Sequence, residues 1–209
     1  MKLKVEHLQG NVNRVIIVLF ILSLFYTSSL FLAPLTLEPG TVTELDGNAN
    51  MVDYSEKWEE LPVYHQAVYL FSDFNCHQKH YRSYSVNGNQ MPVCARDVGI
   101  FIGLSAGFII MAFARGGKRL KDQLLDVINV GPETSERKKT AILIIFGALF
   151  ILPIALDGGV QLVTSYESFN ALRTATGLLF GLGLSIFISS VLLASAPVGH
   201  YKDIERSEK

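Results

Sequence analysis

The sequence predicts an all-α integral membrane protein with four transmembrane helices, both termini in the cytoplasm, and an outer-face loop carrying a short interfacial helix. Three observations predict it. Apolar residues make up 49% of the 209-residue chain and charged residues 18%, below the roughly 25% charged that is usual in soluble domains; mean hydropathy is +0.31. The apolar residues gather in four long blocks that contain no Lys, Arg, Asp or Glu. Lysines and arginines lie mostly on one side of those blocks. A disordered chain and a disulfide-dense secreted scaffold are excluded by this composition. The net charge of -1 gives no basic field, so no nucleic-acid partner is expected.

Residues 1–14 are the cytoplasmic N-terminus, with Lys2, Lys4 and Arg14. The first span covers 15–34 (VIIVLFILSLFYTSSLFLAP). Its basic start also suits a signal peptide, but the apolar run exceeds an h-region and no small-x-small cleavage site follows, so it is read as a retained span. An extracytoplasmic loop fills 35–97, the second span 98–114, a basic cytoplasmic loop 115–139, the third span 140–156, an outer loop 157–173, the fourth span 174–196, and a cytoplasmic tail 197–209. Each block approaches the roughly 20 apolar residues needed to cross a bilayer core of about 30 Å. Backbone polar groups inside lipid must be satisfied within the segment, which makes these blocks helices.

Orientation follows from the basic residues. Lys2, Lys4, Arg14, Arg115, Lys118, Arg119, Lys121, Arg137, Lys138, Lys139, Lys202, Arg206 and Lys209 fall inside; Lys57, Lys79, Arg82, Arg96 and Arg173 fall outside. A cell-membrane location follows, with the lipid bilayer as the first partner.

The outer loop opens acidic and turn-rich, a solvated face. From Trp58 to Phe74 aromatics recur, and Val63, Ala67, Leu70 and Phe74 recur three or four apart, the spacing of a helix lying along the membrane surface or capping the bundle. In the inner loop Leu120, Leu124, Val127 and Ile128 make one stripe of a basic amphipathic helix suited to anionic lipid. Gly131-Pro132 ends it, and Thr134 or Ser135 can cap the third span. Gly99, Gly103 and Gly107, and again Gly177 and Gly181, recur every fourth residue. Small residues so spaced let helices approach closely, within one chain or in a homo-oligomer.

Polar residues converge at one depth. Cys76, His77 and His80 precede the second span with Arg82; Cys94, Arg96 and Asp97 sit at its entry; Asp157 and Gln161 follow the third; Glu167, Asn170 and Arg173 precede the fourth. The topology places all of them at the extracytoplasmic face. Charges near lipid are expensive and face the bundle interior, paired or around a water-filled cavity. Arg173 paired with Glu167 or Asp157 as a structural clamp is one reading. The two cysteines allow two more. On an oxidising side, a lone pair of cysteines most simply forms a Cys76–Cys94 disulfide, worth about 3 kcal/mol by loop closure. Alternatively, Cys76, His77 or His80, Cys94 and Asp97 offer two thiolates, an imidazole and a carboxylate, a donor set for tetrahedral zinc.

The order of these motifs resembles a family. Phe74-Asn75-Cys76-His77-Gln78, Arg82-Ser83, Pro92-Val93-Cys94-Ala95-Arg96, Gly99 with Gly103, Leu156-Asp157-Gly158 with Gln161, and Glu167-Ser168 with Asn170, Arg173, Thr176 and Gly177 are similar to the multi-pass membrane family called domain of unknown function two-zero-eight-five. The likeness runs from Cys76 to about Gly183. It implies a small multi-pass membrane protein and no established activity. The family's last Cys in Cys-x-Arg-Cys is Asp97 here. A carboxylate can replace a thiolate on zinc but not in a disulfide; a Cys76–Cys94 disulfide survives the change.

Two functional readings result. In the first the protein is an outer-leaflet enzyme. Zinc on Cys76, His77, Cys94 and Asp97 activates water or grips a head group. Arg82, Arg96, Gln161, Asn170 and Arg173 bind an anionic lipid or small molecule, and Asp157 or Glu167 is the acid or base. In the second it is a carrier, receptor or assembly factor stapled by the disulfide. No nucleotide-binding glycine loop, H-E-x-x-H motif or nucleophile elbow is present in the sequence.

Overall fold

The computed structural model describes the backbone of residues 2–195 and the side chains of 13–195. The basic residues Lys202, Arg206 and Lys209, and the side chains of Lys2 and Lys4, lie outside the described residues. The chain runs through α1 (Lys2–Thr36), α2 (Ser55–Glu59), α3 (Val63–Asn75), a 3₁₀ turn (His80–Arg82), β1 (Ser83–Val86), β2 (Asn89–Cys94), α4 (Ala95–Met111), α5 (Leu120–Val127), α6 (Glu136–Val163) and α7 (Asn170–Ser195).

Three helical stretches are long and apolar enough to cross a membrane: Asn13–Thr36, Glu136–Val163 and Asn170–Ser195. The second predicted span is α4. It begins at Ala95 rather than Val98 and has 17 residues, about 25 Å at 1.5 Å per residue. It lies between α1 and α7. Outward-facing side chains on α1 and α6 are large and apolar: Ile21, Leu22 and Phe25 on the one, Ile144, Ile145, Leu149 and Leu156 on the other, all exposed. Burial of these faces falls to lipid, as expected for a membrane protein.

Glycines set the tightest packing. A Cβ added at Gly99 would collide with the carbonyl oxygen of Thr174, at Gly103 with that of Leu178, at Gly177 with that of Arg96, and at Gly181 with that of Ile100. The two small-residue stripes therefore face each other across α4 and α7 within one chain.

Several expectations are corrected. The all-α class misses a hairpin. β1 and β2 pair antiparallel with Val86 opposite Asn89, around Asn87 (φ 52°) and Gly88 (φ 73°). Two successive positive φ values are the two-residue turn that Asn-Gly makes most easily. The helix that carries the third predicted span runs past Leu156: α6 continues to Val163, with Gln161 Nε2 donating back to the Asp157 carbonyl at 2.7 Å. The loop that follows is consequently only 164–169, and α7 starts at Asn170. Ser135 stands at the α6 N-cap, but its side chain makes no capping bond. The inner stripe is shorter than expected, since α5 ends at Val127.

The outer segment is held by side-chain amides rather than by regular structure. Asn89 Oδ1 accepts the Val42 N–H (3.0 Å) and its Nδ2 donates to the carbonyls of Pro34 and Glu38 (both 3.0 Å). Gln90 Oε1 accepts the Leu45 N–H at 3.0 Å. Trp58 stacks on Tyr69 with ring centroids 5.0 Å apart, beside Ala33, Leu37, Val42, Leu45 and Val68. In α3 the buried side is Val68, Tyr69, Ser72 and Asp73. The predicted apolar stripe of Val63, Ala67, Leu70 and Phe74 points outward and is exposed, the disposition of a helix whose apolar side meets lipid.

Candidate functional site

Cys76 ends α3, its N–H donating to the Ser72 carbonyl at 2.9 Å. Cys94 ends β2 and is the N-cap of α4, with Asp97 in the first helical turn. The hairpin turns the chain back so that residues 18 apart meet. Cys76 Sγ accepts the Cys94 N–H at 3.2 Å, and Cys94 Sγ donates to Asp97 Oδ2 at 3.2 Å. The two sulfurs and an Asp97 oxygen all lie within 4.8 Å of one another. Both cysteines are buried thiols, packed among Leu30, Met91, Val93 and Val98. The Cys94 thiol, then burial, then the charges of Cys94 and Asp97 push the Cys76 thiol far above its ordinary range.

His77 is not one of the three clustered donors. It is exposed beside them, and its imidazole titrates below its ordinary value, chiefly through partial desolvation against the opposing pull of Asp97. His80 is exposed in the 3₁₀ turn, edge-on to Tyr81. Gln78, the third residue of the Cys-His-Gln run, points inward at φ 48° and donates to the Pro92 carbonyl at 2.7 Å. It fixes the hairpin under the thiols.

A second group of predicted residues forms a connected clamp. Arg96 on α4 pairs with Asp157 on α6. Glu167 accepts from Arg82 Nε at 2.7 Å and Nη2 at 3.0 Å, and from Arg173 at 2.5 Å. Arg173, 2% exposed, also donates to Asn170 Oδ1 (3.0 Å) and Gln161 Oε1 (3.2 Å). Gln161 returns a bond to the Asp157 carbonyl at 2.7 Å, and Asn170 Nδ2 donates to the Ser83 carbonyl at 3.2 Å. Five elements are thus tied at one end of the bundle. Desolvation works to raise the Glu167 carboxyl, but the hydrogen bond and charge of Arg82, then Arg173, outweigh it and hold the group below its ordinary value. Asp157 Oδ1 and Arg96 Nε are buried without a hydrogen-bond partner among the described residues, so the clamp has spare polar capacity.

Asp73 is the polar residue that sequence reasoning missed. Fully buried, its Oδ2 accepts from the Asp53 and Tyr54 N–H groups (3.1 and 3.0 Å) and from Trp58 Nε1 (2.8 Å). The available signal was an acid on the side of α3 opposite its apolar stripe. Ser168 donates to Asp157 Oδ2 at 3.3 Å; the sequence marked it only as part of the Glu167-Ser168 motif, with no partner assigned.

The family model described as Predicted membrane protein (DUF2085) matches residues 76–187, the stretch that holds the thiols and the clamp. Uncharacterized protein MJ1492 of Methanocaldococcus jannaschii is 32% identical over 173 residues, covering 83% of this chain and 88% of its own. An uncharacterized protein of Methanothermobacter thermautotrophicus is 34% identical over 111 residues, 53% of this chain and 81% of its own. No solved structure matches significantly.

Proposed function

The chain belongs to the DUF2085 family of predicted membrane proteins, and from that premise we propose a four-span protein with both termini inside and a metal centre at its extracytoplasmic end. One observation carries this reading: two thiols and a carboxylate, from the ends of α3 and β2 and the start of α4, gather their donor atoms within 4.8 Å. That donor set suits zinc. Cys76, Cys94 and Asp97 hold the ion, and His77 at the rim supplies a fourth donor by turning its ring inward. The Cys94 N–H on Cys76 Sγ stabilises thiolate charge there. With His77 turned in, the four donors would close a tetrahedral site; with His77 turned away, the three remaining donors would leave one position where a bound ion could polarise an oxygen of water or of a lipid head group.

Within this reading the arginines and acids act mainly as the clamp. Arg82, Arg96 and Arg173 are each already paired with Asp157 or Glu167. Glu167, held ionised by two arginines, is a poor proton donor near neutrality. The unfilled hydrogen-bonding capacity at the buried Asp157 Oδ1 and Arg96 Nε is where a water engages.

The test is metal content with thiol titration on detergent-purified protein. One zinc per chain is expected, with two thiols that react only after chelation, and with the metal lost in Cys94→Ser. Absence of both metal and reactive thiols would overturn the reading in favour of the Cys76–Cys94 disulfide; zinc that persists in Cys94→Ser would overturn it by placing the metal elsewhere.

A further inference from the structure

A groove of about 550 Å³ runs between α1, α3 and α4, lined by Leu19, Leu22, Phe25, Tyr26, Ala67 and Phe101 among others. That volume is typical of a small-molecule site. Its chemistry is almost wholly hydrocarbon: of the hydroxyls on its wall, those of Ser23, Tyr26 and Ser29 are already engaged, and Tyr64 alone keeps a free one among the described residues. Ser23 Oγ donates to the Phe20 carbonyl at 3.0 Å and Ser29 Oγ to the Phe25 carbonyl at 2.9 Å. Tyr26 Oη and Ser72 Oγ share a bond at 2.8 Å. A polar occupant would find no unspent partner among these groups.

Length and position narrow the occupant. Leu19 to Ser29 on α1 spans about 15 Å at 1.5 Å per residue, half of a bilayer core of about 30 Å and so the depth of one leaflet. The groove is continuous with the apolar surface that the membrane covers, since Leu22 and Phe25 on its lip are 58% and 66% exposed. At its deep wall, Tyr26 and Phe101 pack against the cluster that contains Cys76 and Cys94.

We propose that this groove seats one hydrocarbon chain of an outer-leaflet membrane lipid, which sets that lipid's head group beside the Cys76–Cys94–Asp97 centre. The proposal rests on the topology given above and names the substrate class of that end of the molecule: a chain-bearing amphiphile presented from the side rather than a solute from the water. α3 acts as the outer wall, with Tyr64, Ala67 and Phe71 along the groove and its C-terminal end at Cys76, where the head group emerges.

The experiment uses the full chain in vesicles of dioleoyl phosphatidylcholine doped with a phosphatidylcholine that carries a diazirine midway along one chain. After irradiation, adducts are mapped by peptide mass spectrometry. Adducts should concentrate on α1, α3 and α4 along the groove. Ala67→Trp and, independently, Leu22→Trp should each lower their yield clearly below that of the unaltered chain, since an indole fills the space the lipid chain would occupy. Leu162→Trp, on an exposed position of α6, should leave groove adducts unchanged. Adducts spread equally over α6 and the groove, or unaffected by both blocking variants, would overturn the proposal. So would a dimer that Ala67→Trp dissociates, which would put a second copy in the groove. Zinc measured on the same samples separates the two ideas: metal without groove adducts sinks only the lipid seat, and groove adducts without metal sink only the metal centre.

Discussion

Glu167 concentrates the electrostatics of the clamp in one side chain, bridging Arg82 and the buried Arg173. Its carboxyl titrates below the ordinary 4.5. A lowered folded-state value means the bridge stabilises the fold fully above pH 4.5 and loses that contribution as pH falls through the folded value. Thermal unfolding in detergent should therefore show a falling midpoint below that pH, and Glu167→Gln should flatten this dependence while lowering the midpoint at neutral pH. A pH profile unchanged by the substitution would remove Glu167 from that role. The meeting of these residues was legible in the sequence, because arginines and acids cannot stay in lipid and so mark the ends of spans. Which acid takes which arginine was not legible, since it depends on α6 continuing past Asp157. Nor was Asp73, whose partners are backbone N–H groups of a loop with no pattern of its own.

Among the elements, α4 and α7 show how local signals combine. Glycines four apart on each helix marked the contact before any coordinates, and the carbonyl oxygens of Arg96 and Ile100 sit where Cβ atoms of Gly177 and Gly181 would go. Gly181→Val should cost about 1–3 kcal/mol through overpacking. Gly147→Val, at an α6 position with nothing within 4 Å of a Cβ, should cost much less. Unfolding of the two variants in the same detergent compares them, and equal losses would mean that the α4–α7 contact does not limit stability. The hairpin went unread for a different reason. Val86-Asn87-Gly88-Asn89 is a strong turn signal, but the strands beside it are only four and six residues long. The flanking polar motif drew attention to chemistry rather than to pairing.

For the molecule as a whole, the polar clamp and the thiols occupy one end of the bundle. The other end gathers Ile16, Met111, Leu193 and the partly buried Leu124 of α5, beside the basic residues of the inner loop. The proposed orientation predicts that a thiol-reactive, membrane-impermeant reagent added outside intact cells labels a single cysteine introduced at Glu59 but not one at Lys118, both in a Cys76→Ser/Cys94→Ser background. Labelling in the reverse sense would invert the topology and move the candidate centre inside. All four apolar blocks were recognisable as helices from hydropathy alone. The one that forms α4 has 17 residues, and its position between α1 and α7 is a tertiary fact that hydropathy does not contain.

α6 has a physical consequence of its own. Only Lys139, Phe150 and Asp157 are buried along its 28 residues, and it leans mainly on α7, through Phe150 against Gly183, with a tie to α4 through the Asp157–Arg96 pair. A rod fastened at so few places is the compliant part of the assembly. Tilting it outward would bare hydrocarbon to hydrocarbon, an exchange of small cost, with the fastening at Asp157 as the pivot. Deformation imposed by bilayer thickness or curvature would thus be taken up in that rod, while the glycine-locked pair beside it keeps its shape.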